Sequence, residues 1–327
     1  MNAVLQALFH IRPFTEALKL QCVVEDYNNN NNNDDGVGRG CGECTVCALN
    51  KTFDEMNNIA ELNNEIIDPY RIRTRLAQFM GDGFVLGQHQ DAHEFWSNLI
   101  FVAMEKRNRS HVQDVWLGAT QHYRLCQACG NASHLTPLNP LNGLTLDIQR
   151  SDIKSLSDAI RHYFSDDSAA AADDDEHHHH QLKCTKCQQH TKVTRETRIY
   201  SAPRVLCIQL RRFNGNRQRI NKTISFDQEL NLSSFIATTA SSASSSSPPL
   251  PPPPILRYRL KSIVNHRGIS INAGHYTAIV SNDHHHHDDE AAARRCYYLF
   301  DDDKPIIEFG SSDNNNNALQ EGYLFFL

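Results

Sequence analysis

No apolar run in the 327-residue chain approaches the roughly 20 residues that a membrane-spanning helix needs, so no membrane partner is expected. Nor is there an excess of cations: 32 Lys and Arg stand against 38 Asp and Glu, a net charge of -6. With a pI near 6.3, that balance argues against a nucleic-acid partner, which calls for a basic face. The opening has neither the basic start nor the small-residue cleavage pattern of a secretory signal. A reducing compartment, cytoplasm or nucleus, is therefore expected. No internal repeat appears, which excludes a solenoid or propeller. Cysteine, by contrast, is not scarce. In a reducing compartment the ten cysteines read as metal ligands or free thiols rather than disulfides.

Several tracts contribute nothing to a core. Asn, Asp, Ala, His, Ser and Pro blocks near residues 28–35, 166–180, 240–254, 283–293 and 311–317 have too little apolar content to bury, and read as insertions at loop tips. The histidine runs His177–His180 and His284–His287 belong to these expansions and are not read as metal sites.

Between the tracts, the N-terminal third is helical. Val4, Leu5, Leu8 and Phe9, continuing towards Leu18, recur at helical spacing, and so do Ala92, Phe95, Trp96, Leu99, Ile100 and Ala103 after Asp91. The middle holds short strand-like pieces. The last third predicts strands over Val205–Phe213, Tyr258–Asn265, His275–Val280 and Tyr297–Phe300. Helices first and an antiparallel sheet later make the fold class α+β.

Two patterns carry chemistry. A histidine at the head of one strand (Gly274-His275-Tyr276) and a carboxylate at the end of the next (Phe300-Asp301-Asp302) meet if the strands pair. The acid then fixes the imidazole as a base for a nucleophile. Taken alone, such a pair reads as a buried structural histidine beside a solvated turn. The second pattern is Cys126-Gln127-Ala128-Cys129 with Cys184-Thr185-Lys186-Cys187, two knuckles that can close a four-thiolate zinc site. Such a site is structural, because no coordination position stays open. Cys41, Cys44 and Cys47 form a third cluster with no evident fourth ligand.

The order of motifs resembles one family. Met1-Asn2-Ala3-Val4-Leu5-Gln6-Ala7-Leu8 is similar to the segment that follows the nucleophile of ubiquitin-specific proteases. Gln88-His89-Gln90-Asp91-Ala92-His93-Glu94-Phe95 resembles their Gln/Asp box, and the two cysteine pairs resemble the zinc ribbon of their fingers. Pro203 to Phe213, Tyr258 to Gly268 with Gly274-His275-Tyr276, and Phe300-Asp301-Asp302 follow in family order. The resemblance implies a papain-like cysteine peptidase with thumb (about 1–117), zinc-ribbon fingers (about 118–200) and palm (about 201–327). It implies ubiquitin and ubiquitinated proteins as partners, with hydrolysis after ubiquitin's C-terminal glycine. It further implies His275 as base, Asp301 as the acid that orients it, Asp302 assisting, and Asp91 and Glu94 holding ubiquitin's basic tail. Asp91 also stands where an N-cap would start its helix.

One departure matters. The family's nucleophilic cysteine lies two residues before the position matched by Met1, and its oxyanion-hole Asn lies further upstream. The chain as given is therefore expected to be inactive, as a truncated reading rather than a natural pseudoenzyme. A deubiquitinase extended upstream, a catalytically dead ubiquitin-binding module and a zinc-stabilised interaction domain remain as readings of the sequence.

Overall fold

The computed structural model describes residues 1–29, 45–59, 90–103, 111–165, 181–237, 254–270, 273–281, 296–302, 304–310 and 321–327. Cys41, Cys44 and most of the low-complexity tracts lie outside the described residues.

The N-terminal third is helical, as its periodicity predicts. The stripe from Val4 to Leu18 is divided, however, into α1 (Asn2–Phe9) and α2 (Arg12–Asn29). Pro13 has no N–H to give the carbonyl of Phe9, so the ladder of α1 stops and a new helix begins around it. Then come α3 (Thr45–Ile59), α4 (Ala92–Ser97), whose continuation Asn98–Ala103 is a π-helix, and α5 (His111–Asp114).

Within 118–201 the strands β1 (Gly118–Cys126), β2 (Ala132–Leu141), β4 (Gln181–Lys183) and β5 (His190–Ser201) form a four-stranded sheet in the order β2-β1-β5-β4. The intervening β3 (Leu144–Leu146) leaves this sheet and pairs in parallel with β6 (Cys207–Leu210). A seven-stranded sheet is completed by β9 (Ser262–Ser270), β10 (Ala273–Ser281), β11 (Cys296–Phe300), β12 (Ile307–Gly310) and β13 (Gly322–Phe326), in the order β12-β11-β10-β9-β13-β6-β3. The small pair β7 (Glu229–Asn231) and β8 (Arg257–Arg259) lies outside it.

Both faces of the large sheet are covered, and side-chain alternation sorts its residues. Val264, Ala278, Leu324 and Phe326 face the core shared with α1 to α5, where Phe14, Trp96 and Trp116 pack. Ile263, Ile279 and Phe325 face a second core with Leu156, Ile160 and Phe164 of α6 (Leu156–Phe164). This two-sided burial is why Tyr323 to Leu327 is apolar without a break.

Two predicted strands come out shorter or divided. Tyr258–Asn265 is not one strand, because Leu260 N–H bonds to Gln228 while Lys261 N–H bonds to Phe326, so the chain changes sheets there. Val205–Phe213 shrinks to β6, because Arg212 folds inward and is buried. Its guanidinium donates to the carbonyls of Gly322 (2.6 Å) and Lys222 (2.7 Å).

Helix α6 was absent from the periodicity reading. A capping box starts it: Ser155 Oγ accepts from Asp158 N at 3.1 Å, and Asp158 Oδ2 accepts from Ser155 N at 3.0 Å. The Ser155 hydrogen bond is the main cause that holds the Asp158 carboxyl down at about 2. Ser155→Ala is expected to lower stability by about 1 kcal/mol in urea unfolding. Because the carboxyl's pKa is depressed, its share of that stability is present above the ordinary carboxylate range and fades as pH falls towards 2.

Candidate active site and thiolate cluster

Strands β10 and β11 pair antiparallel, with Ala278 opposite Phe300. Asp301 therefore leaves the end of β11 close to the head of β10, and His275 Nε2 lies 2.5 Å from Asp301 Oδ1. The imidazole is 43% exposed and the carboxylate 11%, so this is an accessible histidine backed by a sheltered acid. The expectation of a buried structural histidine is not what the coordinates hold. Gly274 is required before it, because an added Cβ would stand 2.1 Å from Nε2 of the buried His266.

The other oxygen of Asp301 is taken by Lys304 Nζ at 2.8 Å. This ammonium, with the imidazole of His275 second, holds the Asp301 carboxyl below the usual carboxylate range despite desolvation. Asp302 has a left-handed backbone (φ 49°), which Asp tolerates better than most residues. That conformation brings Asp302 Oδ2 to 3.8 Å from His275 Nδ1, and Oδ1 accepts from Asn2 Nδ2 at 3.1 Å. Asn2 is the first residue of α1. The imidazole, both carboxylates and the N-terminus of α1 thus share one place.

Asp91 caps α4: its backbone is extended, and Oδ1 accepts from His93 N (2.9 Å) and Glu94 N (3.0 Å). Its Oδ2 accepts from the hydroxyls of Tyr323 (2.5 Å) and Tyr276 (3.4 Å). Glu94 is exposed on the first turn. Sequence reasoning missed Lys304 and Tyr323. Lys304 carries no local signal, whereas Tyr323 opens a buried apolar run and looks like packing.

At the far end of β1, the four cysteines Cys126, Cys129, Cys184 and Cys187 converge, with all four sulfurs within 4.8 Å of one another. Cys126 Sγ is 3.8 Å from Cys187 Sγ, and Cys129 Sγ is 3.7 Å from Cys184 Sγ. The two knuckles repeat one turn. Gly130 N–H bonds to Cys126 O and Gln188 N–H to Cys184 O, each at 2.9 Å, with Gly130 and Gln188 both left-handed. Backbone N–H groups of Cys187 and then Lys186 lower the Cys184 thiol to about 6. This cluster can hold a metal ion. Of the other cysteines, Cys207 is buried and its thiol is pushed well above the ordinary range by burial. Cys296 opens β11, at the opposite end from Asp301.

A helical layer that presents the start of α1 to a His–acid pair on an antiparallel sheet, with a cysteine ribbon on a separate small sheet, defines a papain-like cysteine peptidase with thumb, palm and fingers. The ubiquitin carboxyl-terminal hydrolase family model matches residues 1–326. The chain belongs to that family, whose members are cysteine-type deubiquitinases. It is 30% identical over 295 residues to ubiquitin carboxyl-terminal hydrolase 36 of Drosophila virilis, covering 85% of this chain and 22% of the relative. It is 32% identical over 300 residues to the Drosophila ananassae protein of the same name, covering 86% and 24%. The chain thus spans less than a quarter of the length of these relatives. Among solved structures, it is similar to the SAGA Ubp8/Sgf11/Sus1/Sgf73 DUB module bound to ubiquitin aldehyde. There the TM-score is 0.68 at 21% identity, over 100% of this chain and 66% of that one. The same module bound to monoubiquitin gives 0.67 at 22%. No helix among the described residues is long and apolar enough to cross a membrane.

Proposed function

We propose that this chain is the body of a deubiquitinase that hydrolyses the isopeptide or peptide bond after the C-terminal glycine of ubiquitin. The observation that carries the reading is the 2.5 Å His275–Asp301 pair standing at the N-terminus of α1. A thiol two residues before Met1 lies at that helix end, where the dipole and a neighbouring imidazolium favour thiolate. His275 takes the thiol proton and Asp301 stabilises the imidazolium. The thiolate adds to the scissile carbonyl, and His275 returns the proton to the leaving amine. Water, deprotonated by the same imidazole, then releases ubiquitin from the thioester. Asp302 assists by holding Asn2 and flanking the free ring nitrogen.

The metal is proposed to be zinc. A tetrahedral Zn²⁺ with Zn–S bonds of about 2.3 Å requires sulfurs about 3.8 Å apart, and the two measured pairs stand at 3.8 and 3.7 Å. Bound there, zinc supplies folding free energy and no step of catalysis. The thumb, fingers and palm are assigned to about 1–117, 118–200 and 201–327, with β3 and α6 docked on the palm sheet.

Ubiquitin is the proposed partner, its basic tail received at Asp91 and Glu94. Glu94→Ala is expected to weaken ubiquitin binding about tenfold by isothermal titration, with the thermal midpoint unmoved because the side chain is exposed. Unchanged affinity contradicts tail recognition at this helix. As the test of activity, a form preceded by Gly-Asn-Thr-Cys-Tyr should cleave a fluorogenic ubiquitin amide, and a form starting at Met1 should not. Equal activity of the two forms refutes the placement of the nucleophile.

A further inference from the structure

We propose that Asp91 is a positioning residue held by Tyr323, and that Glu94 alone takes the tail's positive charge. This inference deepens the proposed recognition of ubiquitin and rests on that reading.

A carboxylate offers about four acceptor directions. At Asp91, two are spent on the backbone N–H groups of His93 and Glu94, and two face the phenols of Tyr323 and Tyr276. Tyr276 also accepts from the backbone N–H of Ala92. The first three N–H groups of α4, which no helical carbonyl serves, are thereby satisfied by one acid and one phenol. Tyr323 is 2% exposed. Its oxygen accepts from Gln209 Nε2 at 2.8 Å, and Gln209 Oε1 accepts from Thr145 at 3.1 Å. The hydroxyl of Tyr323, with its one proton, is therefore aimed at Asp91 by a relay running through β3, β6 and β13.

Burial first, and the charge of Asp91 second, raise both phenols far above their ordinary range. They therefore stay protonated donors at any working pH. An incoming guanidinium finds no free oxygen on Asp91 unless one of these bonds breaks. Glu94, by contrast, has its backbone N–H fixed by Asp91 and its side chain in solvent. Tyr276 stands next to His275 on β10, so the same bridge ties the helix that presents Glu94 to the strand that carries the base.

The test measures binding of two ubiquitins, the natural one and one whose tail cations are replaced by neutral residues, to the parent chain and to Asp91→Ala, Asp91→Asn, Glu94→Ala and Tyr323→Phe. Neutralising the tail should cost the parent about tenfold or more in affinity and Glu94→Ala nothing further, while Asp91→Ala still shows the full cost. Asp91→Asn keeps the cap and should stay within about threefold of the parent. Tyr323→Phe should raise KM about tenfold with little change in kcat in the cysteine-bearing form. It should add nothing in the Asp91→Ala background. Loss of the tail-charge effect in Asp91→Ala, or additive effects of Asp91→Ala and Tyr323→Phe, overturns the assignment while leaving tail recognition in place. If neutral and natural tails bind the parent equally, tail recognition fails, and this assignment fails with it.

Discussion

In the form that carries a cysteine two residues before Met1, His275→Ala should lower kcat/KM for a fluorogenic ubiquitin amide by about 10³- to 10⁴-fold. The thermal midpoint should stay within about 2 °C of the parent. The dissociation has a physical basis: the imidazole is 43% exposed, so little packing is lost with it, whereas the proton it moves has no other carrier. Asp301→Asn tests the second member of the pair. An amide at that position can still bond to the ring, but it cannot stabilise an imidazolium, so the loss should again exceed about 10²-fold. The Asp301 carboxyl is already held below the ordinary range by Lys304 and His275. Its pairing therefore persists as pH falls through the usual carboxylate range and is lost only below it. The acid limb of the rate profile should then report the imidazole rather than the acid. Unfolding of His275→Ala, with its midpoint falling by 10 °C or more, would return this side chain to a structural role.

Cys184→Ser is expected to give the largest stability effect. The parent should carry about one zinc per chain by atomic emission, and the variant close to none. Structural zinc contributes about 10–16 kcal/mol of apparent binding free energy in small domains, more than a β1–β2–β4–β5 sheet can replace from its own contacts. Cys126 and Cys184 are the only cysteines of the four that are buried, so much of the ribbon's interior is the site itself. Protease cleavage should appear within residues 118–201, while the helical core around Trp96 and Trp116 keeps its near-ultraviolet signal. A variant with full zinc content would contradict the four-thiolate site.

How much of this was legible in the sequence depended on whether the signal was local. The Asp91 cap stood immediately before an apolar stripe, and the coordinates place the helix start there. The cysteine pairs carried their own spacing, and they converge. The His275–Asp301 encounter needed only that two flanked strands pair in antiparallel fashion, and they do. What escaped was long-range or conformational. Tyr323 reaches Asp91 across 232 positions of sequence. Asp302 depends on a left-handed backbone that no pattern announces. The change of sheet at Leu260–Lys261 is set by which carbonyls wait on β13 and beside β7. Helix α6 did have a local signal, Ser155 three residues before Asp158, but it lay in a stretch whose cysteine pairs drew the strand reading.

The most direct measurement is labelling with ubiquitin that bears a C-terminal electrophile, read by intact mass and peptide mapping on the cysteine-bearing form. A single ubiquitin adduct on the cysteine two residues before Met1, formed at least 10³-fold more slowly in His275→Ala, is the predicted result. An adduct on Cys47 or Cys296, or one that forms equally fast without His275, would contradict the account.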